Sequence, residues 1–493
     1  MGTDGDVKTS ERFGHIREII HKQMLEHGIP SVAVGVAQGD EILWEEALGW
    51  ADREARLPAT PHTPYSLASI SKPITTTGLM ILVERGLIDL DRPVNDYLGD
   101  AKVTARVGDA ADATVRRVAD HTSGLPLHYH FFYEDEPNHR PPMDETIRRY
   151  ANLVTSPGQR PQYSNLGYGI LDYVIERVSA KPYADFMREE VFLPLGMTRS
   201  SIGIAPGLAP YAAARYAPDG LPLPFYDFDH PGGSAVYCSA HDLLRFGMFH
   251  VKARQADQNR ILSDESLDAM HAPSSSWPDG NAYGIGWRID PDFGGYTLVS
   301  HAGGMGGVRT LLLTIPSEKI VTVVLTNGSS ASPIVPYTLF ADIAASLLPN
   351  LEGQADRYRA DLEARAKQKP PAFTVTPELL GQWQGTVHTH QRDLPLTLWF
   401  TDAGDIHAQL GDDLRMLVND ASYEDGHLTG TFPGDIGTPD ASRRAHRLHL
   451  DLYHRGDVIN GACTAITTRN DGSTPTTRVG NALSHWAEVR RSS

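Results

Sequence analysis

The stretch LASISKPITTTGLMILV, residues 67–83, carries most of the information about the fold. Pro73 has no N–H to donate to a carbonyl four residues back, so it is tolerated only in the first turn of a helix and places Ser69 at the helix start. Lys72 follows three residues later and shares a helix face with Ser69. Residues 79–83 are apolar nearly all round, which is typical of a buried central helix. A serine at the mouth of such a helix, one turn from a lysine, suits an activated nucleophile.

The Ser69–Lys72 spacing also has a plain alternative interpretation. A Ser-x-x-Lys match arises roughly once or twice by chance in a chain of this length, although this sequence contains a single one. Serine is in addition a common N-cap residue, so the alternative role of Ser69 is to cap the helix. The spacing therefore needs support from the rest of the chain.

A second group of polar residues is Tyr163-Ser164-Asn165, within RPQYSNLGYGILDYVIERV (160–178). A helix is predicted from about Leu166. A phenol near the lysine would have its pKa lowered by the positive charge and become a usable base. The amide of Asn165 would face the same cleft from a loop and bind the substrate backbone. The alternative is that Asn165 caps the helix and Tyr163 packs nearby.

The third group is His301-Ala302-Gly303-Gly304, which follows a strand predicted at 296–301 and overlaps the glycine-rich run GGMGG. Glycines at this position let a substrate lie close to the backbone. The alternative is a bulge or turn in which His301 is a partly exposed polar residue.

Taken together and in this order, the three groups resemble the penicillin-recognising serine hydrolases, and within them the class C β-lactamase-like group. The resemblance runs from about residue 14 to 348. It is also carried by HTSGLP (121–126), PGGSAVYCSAHDLLRF (231–246), YGIGW (283–287) and the run from VSHAGGMGG (299–307) to LLLTIPSEKIVTVVLTN (311–327).

The resemblance implies a role for each residue of the three groups. Ser69 is the nucleophile, Lys72 its partner and Tyr163 the general base, while the order of proton transfer between the last two stays open. The backbone N–H groups of Ser69 and Gly304 would form the oxyanion hole. Substrate binding would involve Asn165, His301 and Gly303. The expected activity is a serine hydrolase that cleaves an amide or ester through an acyl-enzyme on Ser69.

The third group departs from the pattern of the resemblance in one informative way. β-Lactamases and carboxypeptidases of this kind carry Lys-Thr-Gly, whereas His301 here replaces the cation and Ala302 the hydroxyl. Histidine is mostly neutral at pH 7 and alanine donates no hydrogen bond, so recognition of a substrate carboxylate is weakened. Arg309 is the first candidate for a replacement cation. The pattern is similar to the D-aminopeptidase branch, and esterases fit the first two groups equally. A β-lactamase, an acyltransferase or a sensor that turns over poorly stays open.

The fold class predicted is α/β, with a β-lactamase-like antiparallel sheet flanked by helices, an all-helical insert and a C-terminal all-β domain. Early strands at 31–37 and 41–48 and late strands at 283–289, 296–301, 308–315 and 320–327 are separated by a mostly helical stretch. The helix predicted at 11–27 places Ile16, Ile19, Ile20 and Leu25 on one face. The domain boundaries predicted are 11–350 for the hydrolase, 351–376 for a linker ending near Lys369-Pro370-Pro371, and 377–493 for a lipocalin-like small barrel with Trp383 and Gly385 near its first strand.

Composition limits the partners of the chain. The formal net charge of -17 disfavours nucleic acid and anionic membranes. The expected partner is a small-molecule or peptide substrate, and a homo-oligomer is compatible with the sequence. We expect no cofactor and no metal, because the His- and acid-rich stretch 128–139 lacks a ligand spacing with a mechanism and is interpreted as a solvated loop. The start lacks a signal peptide pattern, which leaves a cytoplasmic location as the expectation unless a leader was removed.

Overall fold

The structure is a computed structural model that describes residues 12–328, 335–351, 353–367, 373–467 and 480–492. Contacts divide the chain into two compact units. We call residues 1–90, 133–137 and 171–368 the sheet unit, and residues 91–132, 138–170 and 369–493 the barrel unit. The domain boundaries from the sequence follow chain order, whereas these units follow contacts, and the boundaries stay a prediction. Lys369-Pro370-Pro371 lies outside the described residues.

A sheet that has nine strands among the described residues forms the framework of the sheet unit, and all its neighbouring strands are antiparallel. In spatial order the strands are Ser275–Ser276, Ala282–Tyr283, Arg288–Phe293, Tyr296–Met305, Val308–Ile315, Ile320–Thr326, Ser31–Gln38, Glu41–Asp52 and Leu57–Pro58. The register between the early and late strands runs from Val32 opposite Thr326 to Gln38 opposite Ile320. The prediction of one sheet built from both ends of the unit is confirmed. Its strands are all antiparallel, as the predicted fold class has them, and not mixed, as the split between early and late strands suggested.

The chain also contains helices and short strands outside the large sheets. The helices described are Gly14–His27, Ser71–Glu84, Val115–Ala119, Met143–Tyr150, Asn165–Ser179, Tyr183–Met187, Pro231–Ser234, Ala240–His250, Asp264–His271, Val335–Leu347 and Gln354–Lys367. Short strands interrupt them at Tyr65–Ser66, Thr104–Ala105, Phe131–Tyr133, Asn152–Leu153, Ser201–Ile202, Tyr226–Phe228 and Val236–Cys238. Among the described residues, no helix combines the length and the apolar character that crossing a bilayer requires.

The sheet is covered by helices on both faces. Helices Gly14–His27 and Val335–Leu347 share one apolar core with the central strands. Helix Ala240–His250 approaches closely at Gly35, where an added Cβ would lie 2.6 Å from Leu244 Cδ1. Burial on both faces explains why the central strands are almost continuously apolar in sequence.

The barrel unit contains a second antiparallel sheet, again of nine strands among the described residues. Its spatial order is Met416–Leu417, Ile406–Leu410, Asp393–Phe400, Gly381–His388, Ala482–Arg491, Val458–Thr467, His446–Arg455, His427–Phe432 and Asn419–Glu424. The first and last of these strands are separated in sequence by Val418 alone, so the two edges meet and the sheet curls into a nearly closed barrel. Trp383 is fully buried on the strand Gly381–His388, and its indole donates to Leu379 O at 2.8 Å. The predicted all-β domain is confirmed.

The helical segment of the barrel unit is bonded to the barrel itself. Tyr129 and Ala482 form an antiparallel bridge through their backbones. Arg149 Nη1 lies 2.9 Å from Asp440 Oδ2 in an ion pair. Phe131 N donates to the side chain of Asn481 at 2.9 Å. The segment 91–170 of this unit therefore makes polar contacts with residues that lie more than 250 positions later in the chain.

Three local predictions are wrong. YGIGWRI is not one strand, because the chain leaves the sheet between Tyr283 and Arg288. The third group does not end its strand, since Tyr296–Met305 runs through His301–Gly304. The stretch 128–139 is not simply a solvated loop: its first part is buried from His128 to Tyr133 apart from a half-buried Tyr129, and Phe131–Tyr133 is a strand.

In the first helix, Gly14–His27, one residue predicted on the buried face is exposed. Ile16 and Ile20 are buried as predicted and Ile19 is half-buried, but Leu25 is 85% exposed.

We predict that Ile20→Ala lowers the free energy of unfolding by about 2–5 kcal/mol, because it leaves a cavity in the core. Leu25→Ala should change it by less than about 0.5 kcal/mol. Urea unfolding followed by circular dichroism measures both, and equal losses would contradict the described face.

Candidate active site

Ser69 lies in the middle of a tight turn rather than at a capping position. A 3₁₀ turn, Ala68–Ile70, leads directly into the helix Ser71–Glu84, and no side chain caps either element. The interpretation of Ser69 as a helix cap is therefore wrong. Ala68 is buried and has a φ of 50°, a left-handed conformation that is strained for a residue with a Cβ. Strained backbone conformations cluster at active sites, so the conformation of Ala68 is consistent with a functional role for the neighbouring Ser69.

Two flanking strands fix the position of this turn. On one side Leu67 N donates to Val236 O at 2.9 Å, and Val236 N donates to Ser71 Oγ at 3.0 Å. On the other side the hydroxyl of Thr310 donates to Leu67 O at 2.8 Å. One strand from each of two sheets thus binds this segment: the strand of Val236 at Leu67 N and the Ser71 side chain, and the strand of Thr310 at Leu67 O.

Lys72 is fully buried and lies against Ser69. Its Nζ is 3.1 Å from Ser69 Oγ and donates to Gly233 O, also at 3.1 Å. Burial lowers the pKa of Lys72 well below its usual range. An amine kept neutral by desolvation can accept the proton of an adjacent hydroxyl. The Gly233 carbonyl belongs to the short helix Pro231–Ser234. Asp172 holds this helix in place, because its carboxylate accepts a hydrogen bond from Gly232 N at 2.6 Å.

The strand that carries the third group passes close to the nucleophile turn. A Cβ on Gly303 would lie 2.0 Å from Leu67 O and 2.2 Å from Thr310 Oγ1, so no side chain fits there. Gly304, the next residue, is exposed. The side-chain position of Gly303 is therefore occupied by the backbone before Ser69. A role of Gly303 in substrate binding stays a prediction.

His301 is buried, and both ring nitrogens bond within the protein. Nδ1 donates to Ala302 O at 2.8 Å, so Nε2 is the unprotonated nitrogen and accepts from the Tyr283 hydroxyl at 2.8 Å. Burial lowers the pKa of His301 to about 3. The imidazole is neutral at pH 7 and does not replace the missing cation.

Arg309 is the cation beside the third group. It lies opposite Gly304 in the register of the hairpin, and its Nη1 is 3.6 Å from the point where a Cβ on Gly304 would sit. Nη1 also donates to Met305 O at 3.0 Å and Val308 O at 2.7 Å. The guanidinium is thus fixed at the tip of the hairpin and half-buried.

Tyr163 and Asn165 belong to the barrel unit, and His121 holds their loop. Gln162 N donates to His121 O at 2.7 Å, and Ser164 N donates to His121 Nδ1 at 3.1 Å. The rings of His121 and Tyr163 lie 4.4 Å apart. Sequence reasoning quoted HTSGLP without giving His121 a role. No local sequence pattern marks this role, because the left-handed φ of 65° at His121 is visible only in the structure.

The loop also answers one question about Asn165. The side chain of Ser164 accepts from Gly167 N at 3.1 Å and caps the helix Asn165–Ser179, so Asn165 is not the cap. The structure brings Ser69, Lys72, His301, Gly303 and Gly304 together in the sheet unit. That Tyr163 and Asn165 complete the same centre stays a prediction.

One group of side chains has the composition of a metal site. Among the described residues, Glu45, His62 and His241 place their ligand atoms within 4.8 Å of one another. The hydrogen bond between Glu45 and His241, 2.8 Å long, accounts for the closest pair. It raises the pKa of His241 and lowers that of Glu45. His62 lies beside this pair, with its ring centroid 4.8 Å from that of His241.

The chain was compared with known proteins. The family described as Beta-lactamase matches residues 16–345. Penicillin-binding protein 4 of Amycolatopsis lactamdurans is 28% identical over 365 residues, covering 70% of this chain and 89% of that protein. Penicillin-binding protein 4* of Bacillus subtilis (strain 168) is 26% identical over 316 residues, which is 59% of this chain and 66% of that protein's length.

Of three similar solved structures, two match nearly the whole chain and one matches about two thirds of it. The octameric penicillin-binding protein homologue from Pyrococcus abyssi has a TM-score of 0.61 at 22% identity and covers 95% of this chain and 99% of its own. SurE with D-Leu has a TM-score of 0.59 at 20% identity, with coverages of 96% and 100%. A class C beta-lactamase covers 68% of this chain with a TM-score of 0.57 at 19% identity, and 97% of its own chain is matched. The similarity confirms the fold.

A pair of glycine substitutions tests the geometry around Ser69. Gly303→Ala should lower the free energy of unfolding by about 1–3 kcal/mol and displace the Ser69 turn, because its Cβ would overlap the Leu67 carbonyl. Gly304→Ala is the matched control, since its Cβ would meet nothing nearer than 3.6 Å. Thermal unfolding and the rate of fluorophosphonate labelling report the two effects. Equal behaviour of the two variants would contradict the close approach.

Proposed function

The chain belongs to the beta-lactamase family, whose members are serine hydrolases in general, and from this premise we propose that it cleaves an amide or ester through an acyl-enzyme on Ser69. The observation that carries the proposal is the pairing of Ser69 Oγ with the buried amine of Lys72 at 3.1 Å. A serine hydroxyl is a weak nucleophile until an adjacent base removes its proton. The buried Lys72, whose pKa is lowered, is such a base.

The proposed reaction has two halves. Ser69 Oγ attacks the substrate carbonyl carbon as its proton passes to the neutral Lys72 amine, and the oxyanion formed is bound by the N–H groups of Ser69 and Gly304. The intermediate collapses when the C–N or C–O bond breaks and the leaving group takes a proton, for which Tyr163 is the proposed donor. Water then attacks the acyl-enzyme while the Tyr163 phenolate takes one of its protons. The ester bond to Ser69 breaks, Lys72 returns its proton to Ser69 Oγ, and the acid leaves.

We further propose that the substrate lacks a carboxylate next to the scissile bond. Two features support this proposal: His301 is neutral with both nitrogens bonded internally, and Ala302 has no hydroxyl. Simple esters, or peptides and amides with a free amino end, then fit better than β-lactams. Arg309 is the one observation that favours the second candidate, a β-lactamase, because its guanidinium lies beside Gly304.

The nucleophile is tested by Ser69→Ala. Turnover of p-nitrophenyl esters and D-amino acid p-nitroanilides should vanish, while the melting temperature stays nearly unchanged because Ser69 caps no helix. Intact-mass spectrometry after treatment with a fluorophosphonate should show one adduct on the parent and none on the variant. Ser317→Ala, which removes an exposed hydroxyl on the turn Pro316–Glu318, is the control and should be labelled like the parent. An adduct of equal yield on Ser69→Ala would end the assignment.

The substrate class is tested by comparing benzylpenicillin with a matched neutral ester. Each missing charge-assisted hydrogen bond contributes roughly 1.5–3 kcal/mol, so kcat/KM for penicillin should be on the order of 10²–10⁴ lower than for the ester. Arg309→Gln separates the two candidates. If the parent hydrolyses penicillin as fast as the ester and Arg309→Gln removes only the penicillin activity, the protein is a β-lactamase with Arg309 as its carboxylate partner.

A further inference from the structure

One carboxylate of the barrel contacts two side chains of the segment that precedes Tyr163. Asp451 lies on the strand His446–Arg455 of the barrel. Gln162 Nε2 donates to Asp451 Oδ2 at 3.3 Å, and Arg160 Nη2 lies 3.9 Å from Asp451 Oδ1. The Arg160 guanidinium also lies over the ring of Tyr453, 4.3 Å from its centroid. All of these residues belong to the barrel unit, so one compact body contains both partners.

Asp451 is itself held in place by the barrel. Its Oδ1 lies 2.7 Å from His427 Nε2 and accepts from the Tyr453 hydroxyl at 3.2 Å. The rings of His427 and Tyr453 are stacked, with centroids 4.6 Å apart. Burial acts to raise the pKa of Asp451, but the His427 hydrogen bond and the nearby positive charges outweigh it and leave the pKa lowered. The carboxylate is therefore a fixed, charged anchor.

The same loop is held on its main chain by His121. That residue binds Gln162 N and Ser164 N, the two amides on either side of Tyr163. Side chains before Tyr163 are thus bound by the barrel, and the main chain around it is bound by the helical segment. Removing Asp451 would release the side-chain anchors while the backbone bonds to His121 remain.

We propose that Asp451 is a positioning residue, through which the C-terminal barrel sets the position of the Tyr163 phenol by way of Gln162 and Arg160. The proposal rests on the catalytic role proposed for Tyr163. It gives the barrel a function in the chemistry: a proton donor or acceptor must lie within hydrogen-bond reach of its partner, and a shift of about 1 Å can cost 10²-fold in rate. The barrel would be needed for turnover although Asp451 touches no reacting atom in this scheme.

The kinetic test uses Asp451→Asn in the full-length chain, with Asp393→Asn as the matched control. Asp393 pairs with His388 on the same barrel at 2.8 Å, so the control also removes one His–Asp pair. Asp451→Asn should lower kcat for an ester about 10- to 100-fold with little change in KM, and Asp451→Glu should recover part of the loss. Asp393→Asn should stay within about twofold. In a Tyr163→Phe background, Asp451→Asn should cost less than about twofold, because the two changes affect one step.

A second measurement does not depend on turnover. Protein labelled with ¹³Cζ-tyrosine gives one signal per tyrosine, and Tyr163→Phe identifies that of Tyr163. The signal should shift in Asp451→Asn and stay in place in Asp393→Asn. If Asp451→Asn unfolds, Arg160→Gln removes the same link from the loop side and replaces it in both measurements.

The outcomes separate this inference from the proposed function. An unchanged Tyr163 signal in Asp451→Asn overturns the inference whatever the turnover, and so does an equal kinetic loss with and without Tyr163. A shifted Tyr163 signal in a protein without Ser69-dependent turnover supports the link between Asp451 and Tyr163 and counts against the proposed hydrolase function instead.

Discussion

Burial of the Lys72 amine beside the Ser69 hydroxyl is the constraint on which the sheet unit depends. A buried ammonium ion costs several kcal/mol of lost hydration, so burial shifts the pKa of Lys72 well below its usual range, and the group needs hydrogen-bond partners within the protein. Gly233 O supplies one, and Ser69 lies at the same distance on the other side. Two segments distant in sequence therefore meet at this nitrogen: the turn and helix that carry Ser69 and Lys72, and the short helix Pro231–Ser234.

The sequence allowed the prediction of those parts of the site that depend on short-range spacing. Pro73 and the apolar run after it were enough to place Lys72 one helical turn from Ser69, and the helix is indeed buried along most of its length. Strand pairs joined by short turns, such as Ser31–Gln38 with Glu41–Asp52, were also predictable because alternation and turn residues are local. Short alternating runs separated by turn residues also predicted that the C-terminal region is all-β, but they did not predict its strand order.

What the sequence could not reveal depends on long-range contacts. Nothing near Ala68 signals that its backbone is left-handed, since the strain is imposed by the strands on either side of the turn. Gly303 looked like room for a substrate, but the atom that excludes a side chain is the Leu67 carbonyl, more than 200 residues earlier. Leu25 fitted the helical period, yet the core ends before it. The bonds from Asp451 to Arg160 and Gln162 join positions whose separation gives no pattern to detect.

The pairing of Ser31–Gln38 with Ile320–Thr326 in the middle of the sheet has a consequence for synthesis of the protein. Strands formed early on the ribosome lack their inner neighbour until the chain has grown by almost 300 residues, and closing so large a loop is slow. During that interval the apolar strand Ser31–Gln38 presents an unpaired edge, which is where chains aggregate. The inner edge of Ser31–Gln38 is thus covered only once the strand Ile320–Thr326 has been made.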